Sequence, residues 1–275
     1  MSRALACLAL LLTTASFAAD FTHAGEFEGK RILFVNYDSI EPNQQYVPGI
    51  LKKMGFAVDV EVSPKALPAL GKYDQLWMVS SCGGMGGAAF GKGDVDRIAA
   101  FVKAGKGFYN LMDNVPCITE GQQVAKKLYG VDITGDYIGQ QVIHVVSAGT
   151  VKKLVDEAMK KGDVEGLAKL RRAGWLNGKL YAEDHELLTG ITELYEGITL
   201  CHMTDSTDLE VILRASDNQS LVAVSKRDGE KVVTDCGFTR LFHMWEQNAA
   251  TSTKWYQNVA AYLQGKQRAD LQHGS

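Results

Sequence analysis

Asp113-Asn114 and Thr239-Arg240 are the residues of this chain whose types and placement best suit chemistry. An arginine beside a carboxylate can anchor an anionic or hydroxyl-rich ligand, because the guanidinium offers a planar fork of donors. The same charges can instead tie two loops together, with Asn114 and Pro116 making only a turn. Paired charges mark functional sites and structural networks alike. The histidines add less. Asp184-His185-Glu186 and His202 with Asp205 offer side chains of the metal-binding type, but at no recognised ligand spacing, so no metal and no other cofactor is expected.

The glycine-rich stretch Gly86-Gly87-Ala88-Ala89-Phe90-Gly91-Lys92-Gly93 fits the first part of a phosphate-binding loop. The Ser or Thr that would hold magnesium is replaced by Gly93. Asp94 and Asp96 then open the next helix and would repel a phosphate at its N-terminus. The stretch reads as a strand-to-helix connection whose small residues allow backbone to approach a ligand closely.

Stepping outward from these residues, strands and helices alternate. Arg31 to Tyr37 is nearly all apolar, as in a parallel strand buried on both faces, and it ends at Asp38. Val47, Ile50, Leu51 and Met54 follow at helical spacing. Phe56–Val62 and Gln75–Ser81 read as strands. Asp94 reads as the cap of a helix that ends at Gly105, followed by a strand over Gly107–Met112 and a helix over Ile118–Tyr129. Val151–Met159 and Val164–Leu170 suggest two charged amphipathic helices, an insert at about 150–175. Ile198–His202, Leu209–Ala215, Leu221–Ser225 and Lys231–Asp235 read as short strands joined by close turns, an antiparallel extension of the sheet. A last helix covers about Thr251–Leu263. The pattern is that of a doubly wound α/β domain, 19–265, with a flexible tail at 266–275.

The first residues form an export signal: Arg3, an apolar run from Ala4 to Leu12, then small residues at Ser16 and Ala18, predicting cleavage after Ala18. That run is too short to span a bilayer, which needs roughly 20 apolar residues. No later segment is a membrane span. The expected location is periplasmic or secreted. Cys7 leaves with the signal, so Cys82, Cys117, Cys201 and Cys236 remain. An even number in an exported chain favours disulfides, with three connectivities open. The net charge of −3 argues against nucleic acid as a partner, since that needs a strongly basic face.

Four segments carry a resemblance to a known superfamily: Arg31 to Asp38, Tyr73 to Val79, Asp94 to Asp113 and Val232 to Leu241. His185 to Ile191 and Leu194 to Gly197 add to it. The chain resembles the class I glutamine amidotransferase-like superfamily, in particular its ThuA-like, non-amidotransferase members. The resemblance implies a flavodoxin-like, mainly parallel sheet with a site at the carboxyl ends of its strands. Asp38, Cys82, Asp113, Asn114, Thr239 and Arg240 are the ligand-binding candidates expected at that edge. Cys82 and Cys117 fall there after neighbouring strands and could form one disulfide, with Cys201 and Cys236 forming another.

Glutaminase chemistry would need a cysteine in a Gly-x-Cys-x-Gly turn after the strand matching Gly107–Met112. Here that turn reads Met112-Asp113-Asn114-Val115-Pro116-Cys117. The superfamily's catalytic His and Glu follow the last core strand, where this chain has Asp235-Cys236-Gly237-Phe238, and His243 comes several residues late. The expectation is an exported, non-catalytic binding or accessory protein of the cell envelope, whose partner is a small molecule or an envelope protein. The alternatives are a hydrolase of a small amide, ester or glycan that uses the edge residues or a cysteine, and a scaffold in an envelope complex.

Overall fold

The structure, a computed structural model, describes residues 23–38, 45–82, 90–91, 93–139, 142–144, 148–172, 185–191, 193–241 and 249–266. The expected export signal, most of the glycine-rich stretch, Asp184, His243 and residues 267–275 of the expected tail lie outside them. The described chain runs β1 (Arg31–Asn36), α1 (Tyr46–Lys53), β2 (Ala57–Val62), β3 (Gln75–Val79), α2 (Asp94–Lys103), β4 (Gly107–Leu111), α3 (Thr119–Tyr129), β5 (Ile133–Ile138) and β6 (Val142–His144). It continues through α4 (Ala148–Lys161), α5 (Val164–Arg172), β7 (Glu193–Tyr195), β8 (Thr199–Met203), β9 (Leu209–Arg214), β10 (Ser220–Ser225), β11 (Lys231–Asp235) and α6 (Ala249–Leu263). Single 3₁₀ turns cover Glu186–Leu188 and Phe238–Leu241.

Seven strands form one sheet in the order β2-β1-β3-β4-β11-β10-β9. The first five are mutually parallel, whereas β10 runs antiparallel to β11 and β9 antiparallel to β10. This is the flavodoxin-like, mainly parallel sheet with an antiparallel extension. Helices α1 and α6 pack together, as do α2 and α3, the two pairs that right-handed crossovers put on opposite faces. Strands β1, β3 and β4 are therefore covered on both sides, and nearly every residue in them is buried. Trp77 anchors the centre. Its ring meets Tyr109 edge-on at 4.9 Å, and its Nε1 donates to Gln75 Oε1 at 2.9 Å.

Two details differ from the sequence reading. The strand expected at Ile198–His202 is β8, and it pairs with β5 in a separate ribbon instead of extending the main sheet. Asp94 does not cap α2: Gly93 occupies that position with φ of 88°, and the Asp94 carboxylate turns back to accept from Leu67 N, Gly91 N and Arg97. The insert forms the hairpin α4–α5, turned at Gly162 with φ of 64°.

Candidate functional site

Strands β1 and β3 lie side by side, yet their following connections lead to opposite sides of the sheet. This topological switch is where open α/β sheets place their ligands, just beyond the carboxyl ends of the strands. At that point Tyr37, with Asp38 next to it, leaves β1 and Ser80-Ser81-Cys82 leave β3; Tyr37 N donates to Val79 O at 2.9 Å. Tyr37 is wholly buried, its hydroxyl has no hydrogen-bond partner among the described residues, and burial together with Asp94 and Glu120 pushes its phenol up. Asp38 is also buried, and its N–H donates to Asn36 Oδ1 at 2.9 Å.

The end of β3 is stitched to the start of α3 by four links. Cys82 and Cys117 form a disulfide. Ser81 donates to the Glu120 carboxylate from its N–H at 2.7 Å and from its hydroxyl at 2.9 Å. Gly121 N donates to Ser80 Oγ at 2.9 Å. Glu120 is fully buried, and burial raises its carboxyl against the lowering effect of the Ser81 donors. Gly121 permits the approach, because a Cβ there would fall 2.4 Å from Met112 Cγ. The clasp occupies the first turn of α3, where free N–H groups and the helix dipole would otherwise favour an anion or a thiolate. Cys117 stands at that helix start, but its sulfur is bonded to Cys82.

A second buried network lies at the ends of β4 and β11. Arg240 is 1% exposed. Its Nη2 pairs with Asp235 Oδ1 and its Nη1 donates to Glu196 O. Asp235 also accepts from Tyr109 OH at 2.6 Å and Gly237 N at 3.0 Å, and Trp255 Nε1 donates to the Tyr109 oxygen at 3.0 Å. Burial opposes the charge on Arg240, but the adjacent Asp235 carboxylate holds it charged. A Cβ at Gly237 would fall 2.4 Å from Glu196 O, so glycine there is needed for this fit.

Asp113, which the sequence pairs with Arg240 as its tie or co-ligand, is not its ion-pair partner. Its buried carboxyl accepts from Asn114 N at 2.8 Å and interacts with the Thr199 and Thr239 hydroxyls. Thr239 Oγ1 in turn accepts from Ile198 N at 2.8 Å. Burial is the largest influence on Asp113 and drives its carboxyl well above the usual range, despite these donors and the charge of Arg240. Asn114 faces outward and donates to Asp136 Oδ1 at 3.2 Å. The six edge candidates thus sit at the carboxyl ends of their strands, but split between the switch point and the network at β4–β11.

The second expected disulfide is not formed. Cys201 and Cys236 are buried thiols, with Cys201 Sγ 3.7 Å from Cys236 O. Their burial raises the Cys201 thiol well above its ordinary value. His202 lies 3.2 Å from Asp217 instead of pairing with Asp205. His185 packs on Tyr262, near the end of α6 that abuts Gly107 at the start of β4, away from the carboxyl edge. The sequence gives little sign of Glu120, Ser80, Ser81 or Asp235. An acid in a first helical turn and serines after a strand are commonplace, and only the tertiary fold brings them together.

No protein-family profile matches this sequence, and neither does any curated protein. Solved structures do share its fold. A glutamine amidotransferase from Thermotoga maritima is 11% identical, with 86% of this chain and 99% of that one covered at a TM-score of 0.52. A glutamine amidotransferase from Methylobacillus flagellatus is 12% identical, with 87% and 96% covered at a TM-score of 0.50. The fold is that of the class I glutamine amidotransferase-like proteins. At such identities the likeness concerns architecture, and chemistry must be argued from the residues.

Proposed function

We propose that this chain is an exported, non-catalytic accessory protein of the cell envelope, akin to the ThuA-like, non-amidotransferase members of the superfamily, and that it acts by binding a partner. The clasp between β3 and α3 carries this reading. The turn that would present a nucleophilic cysteine is replaced by Met112 to Cys117, and the one cysteine at the helix start is bonded to Cys82. A disulfide also suits an oxidising compartment. The hydrolase alternative has less support, since Asp113 and Arg240 are both 1% exposed and Arg240 is engaged by Asp235. That filled edge favours contact through the protein surface.

The test is to incubate the mature protein with glutamine, with and without reductant, while measuring ammonia. No release above the blank is expected in either case. Turnover that disappears in Cys117→Ser would sink the reading. The protein recovered from the source cell's envelope fraction should begin at Ala19; an intact chain retained in the cytosol would overturn the export part.

A further inference from the structure

We infer that the tip of the α4–α5 hairpin is a peripheral docking surface for an anionic lipid headgroup layer. The two helices pack chiefly on each other, and the tip between them is exposed from Met159 to Glu165. Met159 is 65% exposed and Val164 77%, among the most exposed large apolar side chains described. Lys160 and Lys161 lie directly between them, with Lys152 and Lys153 further along α4. Residues 148–172 hold seven Lys or Arg and four Asp or Glu, a net of +3 in a chain whose net charge is −3.

The local acids are largely engaged. Asp156 pairs with Lys152 at 2.6 Å, and Asp163 accepts from Gly166 N at 2.8 Å at the start of α5. Lys153, Lys160 and Lys161 make no ion pair among the described residues. The hairpin is thus the basic projection of an otherwise acidic molecule, which attracts an anionic surface.

Its shape selects the occupant. Apolar side chains on a convex tip are buried only by a surface that wraps around them, and a fluid headgroup layer yields in that way where a rigid protein surface does not. Lysine stems can lie along the acyl boundary while their ammonium groups reach lipid phosphates. No helix among the described residues is long and apolar enough to cross a membrane, so the contact would be superficial and reversible. The inference rests on the hairpin and not on the absence of catalysis.

Cosedimentation of the mature chain with vesicles tests it, using phosphatidylcholine alone or an equal mixture with phosphatidylglycerol. Binding is expected only to the mixed vesicles, and it should fall at high salt. Met159→Ser with Val164→Ser, and separately Lys160→Glu with Lys161→Glu, should each weaken it by about tenfold. These positions are exposed, so circular dichroism should show an unchanged fold. Failure to bind mixed vesicles, or binding indifferent to both variants, would overturn the proposal. So would capture of polyglutamate through the hairpin without vesicle binding, which would indicate an acidic protein partner instead.

Discussion

A guanidinium withdrawn from water needs a counter-charge, and Arg240 finds it in Asp235, which Tyr109 and Gly237 also contact. Removing one member of such a pair leaves the other charge buried. Arg240→Met should therefore lower the unfolding free energy by about 3–5 kcal/mol, read from urea denaturation. Adding Asp235→Asn should restore part of that loss, because it removes the stranded charge. A loss within error of zero would show that the pair does not hold the edge together. Asp113 makes stability depend on pH. Its carboxyl is raised by burial, so the folded state binds the proton more tightly than the unfolded state. The stability this adds is complete below the unfolded value of about 3.9 and fades as pH climbs through the raised native value. Asp113→Asn, fixed in the neutral state, should therefore gain stability relative to the parent as pH is raised from about 4 toward neutrality. A stability difference that stays level across that range would contradict the shift.

At the scale of elements, the clasp joins two pieces that the sequence reads separately. The pairing of Cys82 with Cys117 follows from neighbouring strands in a parallel sheet, whereas the Glu120 and Gly121 links do not, because a helix's first turn gives no indication of which strand end it will meet. Breaking the disulfide with Cys82→Ser and Cys117→Ser should reduce stability by about 2–4 kcal/mol, seen as a lower Tm that reductant no longer changes. The denatured, unreduced mature chain should titrate two thiols, Cys201 and Cys236; four would remove the disulfide. The strands β1, β3 and β4 were legible because burial on both faces leaves an unbroken apolar run. Strands β5, β6 and β7 were not, since each is short or exposed and pairs with a segment distant in sequence.

For the molecule as a whole, alternation of strand and helix was enough to read a doubly wound sheet, and the carboxyl edge followed from that topology. The allocation of charges along the edge was beyond the sequence. Asp235 looks like an ordinary strand-end residue, and nothing local marks it over Asp113 as the partner of Arg240, whose Nη1 would lie 2.8 Å from a Cβ at Gly237. The separate ribbon of β5 and β8 was equally hidden, because local alternation does not specify which strand a new one will join. The clasp has a mechanical consequence too. Pulled apart by its two ends, the chain could not pay out the segment between Cys82 and Cys117, which are 35 positions apart in sequence. About 120 Å of contour would be withheld, so α2 and β4 would remain in a covalent ring while the rest of the chain was drawn straight.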